Sequence, residues 1–519
     1  MNNQSPAASQ TRAFATVFLI EMWERFGYYG MAALLVLFMI DKVGFADDYA
    51  NLTWGAFSAL VFSAPSIGGW IGDKVLGARR TMTFGAIVLS LGYLMLALPY
   101  DALGFMYASL GVIVVGNGLF KSNAANLVRR IYEGDEARID SAFTIYYMAV
   151  NIGSTFSMLA TPWIKDHWGW HAAFAVCCGG MVLGLVNFVL IRRTLAHVGS
   201  APDDQPMRWG RFVPVAAGSV VLAAATVFIL QHQTVARVCV WAAALGILAI
   251  FGYMLVRCDR SERAGLWAAL ILTLQVILFF VFYQQMSTSL TLFALRNVDP
   301  AFSVAGVRLF TWSAAQFQAL NPIWIMILSP LLAVAYAGLA RRGRDVSVAA
   351  KYAFGFVVVA VGFFVFGLSG RYAVEGRVSS WFMVAGYGLY SLGELLVSGL
   401  GLAMIARYVP ARMSGFMMGS YFVATGVSQY LGTVVANVAR MPPGHLDPLQ
   451  SLPLYTHLFV SLGWLATGGA AIALVLLPLL RRLSRAHHRA AGAGAGAGAV
   501  RAPMASAWRR FLRLERNTV

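Results

Sequence analysis

Three acids and two bases fall inside stretches that are otherwise unbroken apolar sequence. Glu21, Glu24 and Arg25 lie in the first such stretch, Lys121 in the fourth and Glu394 in the twelfth. An ionised side chain at bilayer depth costs about 3 kcal/mol or more, so each of these positions marks a functional candidate. The first stretch reads Glu21-Met-Trp-Glu24-Arg25-Phe-Gly-Tyr28-Tyr29-Gly30. At about 100° per helical residue, Glu21, Glu24, Arg25, Tyr28 and Tyr29 share an arc of roughly 140°. Lipid cannot receive a face of two carboxylates, a guanidinium and two phenols, so the face lines a cavity. The competing reading is an ion cluster that only fixes helix packing, a task that apolar side chains perform at lower free-energy cost.

Further polar groups fall in the same stretches. Tyr147 and Asn151 are four residues apart on one helical face, Gln285 is followed by Thr288 and Ser289, and Ser398 stands one turn beyond Glu394. Gln318 and Asn321 precede Pro322, which is expected to free the Gln318 carbonyl and kink the helix. Any one of these is commonly an interhelical hydrogen bond. Together with the five ions they imply a polar cavity near the midplane. Ionised, the five groups sum to a single negative charge, so one proton neutralises them and a zwitterionic ligand changes nothing. A cavity that reorients across a low-dielectric layer favours neutrality. The charge pattern therefore points to a proton-coupled carrier of a zwitterion. No Walker A or HExxH motif is present, so neither ATP hydrolysis nor zinc proteolysis is indicated.

The elements that position these groups follow from composition. Of 519 residues, 59% are hydrophobic and 12% charged, against about 45–50% and about 25% in soluble proteins. The apolar blocks run too long for barrel strands and suit spanning helices. Spans are expected at 13–41, 52–76, 80–99, 103–126, 140–163, 171–192, 211–230, 236–257, 264–294, 318–340, 349–369, 379–406, 413–438 and 456–480, with the longest connections at 194–210, 295–317 and 439–455. An even number of spans puts both termini on one side. Placing them in the cytoplasm puts 29 Lys and Arg in inner segments and 8 in outer ones, with two inside spans. The positive-inside rule thus orients the chain, and the net charge of +17 records membrane insertion, with no nucleic-acid partner. The first stretch lacks a cleavage site and is expected to stay as a helix. Cys177, Cys178, Cys239 and Cys258 have no metal spacing and read as small apolar fillers. The Ala-Gly run from Ala490 to Ala499 reads as a flexible tether, followed by a basic tail whose Trp508–Arg516 segment is either disordered or laid on the inner leaflet.

The segment Glu21 to Gly30 resembles the ExxERFxYYG signature of the proton-dependent oligopeptide transporters of the major facilitator superfamily. Gly69-Trp-Ile-Gly-Asp73-Lys-Val-Leu-Gly77-Ala-Arg79-Arg80 resembles that superfamily's loop between helices 2 and 3. Gly118-Leu-Phe-Lys121 with Phe143-Thr-Ile-Tyr-Tyr147-Met-Ala-Val-Asn151-Ile-Gly153 resembles the second family signature, and Gly393-Glu394-Leu-Leu-Val-Ser398 the tenth core helix. The phrases from Gln285 and from Ser398 are most similar to those of bacterial dipeptide and tripeptide permeases.

The resemblance implies an all-α integral membrane protein of the major facilitator fold, with twelve core helices in two six-helix bundles and two extra helices between them. The expected organisation is an N-terminal tail at 1–12, a first bundle at 13–193, a linker with the extra pair at 194–263, a second bundle at 264–480 and a basic tail at 481–519. It further implies a secondary transporter, not an enzyme, importing di- and tripeptides with protons across the cytoplasmic membrane, working as a monomer, with both termini cytoplasmic and no cofactor beyond the coupling proton. By position, Glu21, Glu24, Arg25, Lys121 and Glu394 would form the proton-coupling set. Arg25, Tyr29 and Lys121 would hold the peptide carboxylate, and Glu394, Asn151 and Asn321 its amine. Tyr147, Ser398, Gln285, Phe280 and Phe62 would complete the pocket. Three positions depart from the common pattern: Ala32 replaces an arginine, Phe62 a tyrosine and Tyr421 a tryptophan. A same-fold carrier of a peptidomimetic drug or a nitrate-like anion is the alternative, Glu394 favouring an amine-bearing ligand over a simple anion. A peptide sensor that does not transport is a third reading, disfavoured because binding alone needs no proton exchange.

Overall fold

The computed structural model describes residues 6–99, 103–343, 346–397, 408–409, 411–439 and 447–494. Ser398 and the Trp508–Arg516 segment lie outside the described residues, as does the Ala-Gly run beyond 494. In hydrocarbon every backbone N–H and C=O must be satisfied within its own segment, so the long apolar stretches become helices.

The helices are α1 (Pro6–Asp41), α2 (Asp47–Ser63), α3 (Pro65–Lys74), α4 (Ala78–Ala97), α5 (Leu103–Ile131), α6 (Glu136–Ile191), α7 (Trp209–Gln231), α8 (Gln233–Arg257), α9 (Arg260–Tyr283), α10 (Ser289–Asn297), α11 (Leu320–Arg341), α12 (Val348–Leu368), α13 (Trp381–Val397), α14 (Ala411–Ala436) and α15 (Pro448–Gly494). α2 with α3 makes one pass, as does α9 with α10. α6 makes two, because Gly169 breaks it with φ 85° and ψ 176°, a conformation natural only to glycine. Counted so, the described helices form fourteen passes, and the chain has the major facilitator architecture of twelve core helices with α7 and α8 between the bundles.

Several spans differ in detail from the sequence expectation. The second pass starts earlier, at Asp47, and breaks at Ala64, where Pro65 opens α3. The ninth pass breaks into a 3-10 turn at Gln284–Ser287. Pro322 does not kink a continuous helix. A 3-10 turn at Ala314–Ala319 leads into α11, and Pro322 sits in its first turn, where a missing N–H goes unneeded. The connection expected at 295–317 contains a hairpin, β1 (Ala301–Val304) paired antiparallel with β2 (Val307–Thr311). Its two turn residues, Ala305 and Gly306, both have positive φ, as a two-residue hairpin turn that follows the strand twist requires. The last helix begins at Pro448, inside the expected 439–455 connection.

α1 packs along α6 and α4 along α5, while α12 packs on α13 and α15. Helices approach closely where side chains vanish: a Cβ on Gly68 would collide with the Gly118 backbone, so α3 and α5 meet backbone to backbone. α7 packs against α5 and α2, α8 against α14 and α9. The strand of chain leading to α7 is clamped onto the start of α4. Arg79 Nη1 donates to the Leu195 and Ala196 carbonyls at 2.7 Å each, and Arg80 donates to those of Pro202 and Gln205. Ser200 Oγ and Asp203 Oδ2 accept from the first backbone N–H groups of α4.

The two halves interlock at the face that carries the hairpin. Arg296 on α10 grips Asp47 on α2 with two nitrogens, at 2.6 and 2.8 Å, and also donates to the Tyr455 hydroxyl at 2.7 Å. Asn51 Nδ2 donates to Asn437 Oδ1 at 2.8 Å. Gln316 and Gln318 donate to the Leu159 and Ala33 carbonyls at 2.8 and 3.1 Å. Asp47→Asn removes the charge from the strongest of these links. It is expected to shift the population toward the form open at this face by about tenfold, equivalent to about 1.4 kcal/mol. Pulsed spin-label distances between the halves report this, and an unchanged distance distribution would show that the pair does not hold the face shut.

Candidate functional site

The polar face of α1 is buried as its arc dictates. Glu21, Glu24 and Arg25 are all nearly inaccessible. Arg25 Nε donates to Glu24 and lies 3.4 Å from Glu21, one turn away. The guanidinium also stands 5.2 and 5.9 Å from the ring centres of Tyr28 and Tyr29. From α5, Asn117 Nδ2 donates to the second Glu24 oxygen at 3.3 Å. From α6, Tyr146 comes against Glu21. A buried guanidinium between two carboxylates is compensated by opposite charge, and the trio keeps one net negative charge.

Lys121 lies one turn beyond Asn117 on α5 and within electrostatic reach of both acids. Among the described residues it makes no salt bridge, and its ammonium rests 4.7 Å from the centre of the Phe62 ring. The opposing half contributes Glu394 from α13, where Asn321 of α11 donates to it at 2.7 Å and to Ser391 Oγ at 3.0 Å. Tyr29, Tyr147, Tyr283 and Tyr390 all fall within electrostatic reach of Glu394. Tyr29 meets Tyr283 between the halves, and Tyr283 stacks on Tyr390 at 6.3 Å. Phe62 faces Phe280 at 6.4 Å. Tyr147 is 39% exposed.

The structure thus brings Glu21, Glu24, Arg25, Lys121, Tyr29, Tyr147, Phe62, Phe280, Asn321 and Glu394 around one interface between the halves. Asn151 is buried, its amide donating to the Tyr147 carbonyl at 2.8 Å. Gln285 is also buried, donating to the Val281 and Gly432 carbonyls and accepting from Ser289, so its amide braces the break between α9 and α10 against α14. Ala32 and Tyr421 are buried. Asn117, Tyr146, Tyr283, Tyr390 and Ser391 join the site without having been singled out in the sequence. Helical spacing could have found three of them, since Asn117 is four residues before Lys121, and Tyr390 and Ser391 are four and three before Glu394.

The family model described as the POT family matches residues 79–451. The chain belongs to the POT family. It is 40% identical over 491 residues to dipeptide and tripeptide permease A of Escherichia coli K12, covering 93% of this chain and 97% of that protein. The permease of the same name from Salmonella typhimurium is 41% identical over 480 residues, covering 92% and 94%. Among solved structures, tetrameric PepTSo2 superposes with a TM-score of 0.84 at 56% identity, covering 92% of this chain and all of that one. A peptide transporter POT in complex with sulfate superposes at 0.78 with 28% identity, covering 91% and 95%. This POT-family chain is a transporter, not an enzyme, and a multi-pass inner-membrane protein.

Asn321 supplies the hydrogen bond that Glu394 receives in its buried setting. Asn321→Leu keeps the bulk and leaves the carboxyl without that donor, an expected loss of about 1–3 kcal/mol. A lowered midpoint of thermal unfolding in detergent measures it. An unchanged midpoint would mean that the Glu394 carboxyl does not depend on Asn321.

Proposed function

We propose that this chain imports di- and tripeptides together with protons by alternating access. One observation carries the reading. Among the described residues, a cation without a salt bridge, Lys121, belongs to one half of the molecule, an acid, Glu394, held by the side-chain amide of Asn321, belongs to the other, and Tyr29 and Tyr283 meet between the halves. Lys121, with Arg25 and Tyr29, is suited to the carboxylate of a peptide. Glu394, with Asn321 and Asn151, is suited to its ammonium. Tyr147, Phe62 and Phe280 bound the side-chain space. Both end groups occur in every short peptide, so the scheme implies breadth toward side chains. The permeases named above are called dipeptide and tripeptide permeases, which agrees with this assignment.

The proton is carried by the Glu21, Glu24, Arg25 and Lys121 set with Glu394. One proton on this set cancels its net charge, and the peptide zwitterion leaves that balance unaltered. The basic loops and both chain ends face the cytoplasm, and the hairpin faces outward, in keeping with the positive-inside bias. The interlocked hairpin face makes this the form closed to the outside. A single chain holds the whole cavity, so one chain suffices for transport whether or not copies assemble as PepTSo2 does.

Glu24→Gln preserves size and some hydrogen bonding but cannot exchange a proton. In proteoliposomes with an inward proton gradient it is expected to abolish accumulation of labelled dialanine while sparing some peptide exchange. Accumulation at the parental level would remove Glu24 from the coupling set. N-acetylated dialanine lacks the ammonium that Glu394 needs and would leave that acid buried and unpaired. Its competition against dialanine uptake is expected to be weaker by about tenfold or more. Equal competition would take Glu394 out of amine recognition and favour an anion carrier.

A further inference from the structure

A charged cavity of about 250 Å³ lies at the hairpin face between the two halves. From the first half it takes Leu34 and Asp41 at the end of α1, and Lys165 and Asp166 ahead of the α6 break. From the second half it takes Trp312, just after β2, and Arg377. Its four charged groups are two acids and two bases. Lys165 and Asp166 bond each other at 2.8 Å, and the Lys165 ammonium also lies 5.0 Å from the centre of the Trp170 ring. Among the described residues neither Asp41 nor Arg377 makes a salt bridge. The cavity thus offers a carboxylate, within electrostatic reach of Lys165 and Arg296 but in no salt bridge among the described residues, and a guanidinium likewise in none, beside apolar and aromatic wall.

Its place in the fold gives this composition a meaning. Lining residues Leu34 and Ala315 adjoin Ala33 and Gln316 in sequence, and Pro162 is three residues from Leu159; Ala33, Leu159 and Gln316 take part in two of the hydrogen bonds that close this face. The cavity therefore rests on the seal. When the halves part there, those bonds break and the cavity becomes continuous with the passage to Tyr29, Lys121 and Glu394.

We infer that this cavity is an outer docking site for the same zwitterionic peptides, with Asp41 taking the ammonium and Arg377 the carboxylate. The inference rests on the peptide reading above. Its charge pairing repeats that of the central site, acid for amine and base for carboxylate, but at the rim, where water and salt weaken it. The outer site is accordingly weak. It raises the local concentration of peptide at the closed gate and acts on capture, leaving the later steps of the cycle alone.

Two measurements on the full chain in lipid nanodiscs and proteoliposomes test it. Equilibrium binding of labelled dialanine is expected to show two classes of site. The weaker class should be lost in Arg377→Gln, kept in Arg377→Lys and kept in Glu394→Gln. In uptake, Arg377→Gln is expected to raise KM about fivefold at low salt with kcat unchanged, the rise shrinking at high salt. The retained kcat also shows that the variant folds. A single class of binding, unaffected by Arg377→Gln, together with normal parental uptake, overturns the outer site and leaves the peptide reading standing. No dialanine uptake by the parent chain overturns the peptide reading and this site with it.

Discussion

Arg25 is held inside the membrane between Glu24 and Glu21, and much of the site follows from how that charge is balanced. A lone guanidinium at this depth would be excluded by its desolvation cost, and a lone pair of carboxylates equally so. Placing all three on adjacent turns of α1 lets the helix itself supply the compensation. The trio still carries one negative charge more than it can cancel, and Asn117 serves the second Glu24 oxygen without adding charge. Lys121 stands within electrostatic reach of both acids, and among the described residues it makes a salt bridge with neither. The first half thus presents a cation that is electrostatically accommodated but not consumed. The second half presents its mirror, an acid whose side-chain donor among the described residues is a neutral amide. Neither half is complete for a zwitterion until both face the same space.

The links between halves are of a different kind from those within them. Within each half, α1 on α6, α4 on α5 and α12 on α13 pack over long stretches, and Gly68 lets α3 and α5 touch at the backbone. Across the closed face, besides the Asp47–Arg296 pair, the described residues include single amides reaching carbonyls or another amide, as with Gln316, Gln318 and Asn51. A neutral hydrogen bond contributes about 0.5–1.5 kcal/mol net, so a few of them close the face without locking it. A transporter needs that balance: rigid bodies joined by a seam whose opening and closing differ little in free energy. Arg79 and Arg80 add to the rigidity on the opposite face by tying the chain ahead of α7 to the start of α4.

Much of this was legible in the sequence because a bilayer leaves few choices. Length and apolarity determine the passes, and ionisable groups within them must turn inward, so the α1 face and the positions of Lys121 and Glu394 could be read from spacing alone. The breaks were harder. The interruption before Pro65, the 3-10 turn at Gln284–Ser287 and the 3-10 entry to α11 sit in sequence that is as apolar as its surroundings, and hydropathy does not register a local change of winding. Gln285 shows the consequence: its type and place suggest a ligand contact, yet its amide is engaged in bracing such a break. The Asp47–Arg296 pair was illegible for another reason. Its members are 249 residues apart, each ordinary at the end of a span, and their meeting belongs to one arrangement of the halves.

Phe62 shows why one departure from the family pattern suits the chemistry. Where other members commonly place a tyrosine, this chain sets a plain ring beneath the Lys121 ammonium at 4.7 Å. A phenol there would add an oxygen able to accept from the ammonium and take one of its three donors. The phenylalanine attracts the cation through its face while leaving all three N–H groups unclaimed by it. An arginine at position 121 would spread its charge over a planar fork that favours bidentate partners such as Glu24, and would be drawn into the α1 cluster. A compact ammonium on an apolar ring stays a point charge on offer to the cavity. Keeping Lys121 out of the ion pairs that satisfy Arg25 therefore divides the two cations between tasks. One is committed to the buried network, and the other is left for whatever anionic group enters between the halves.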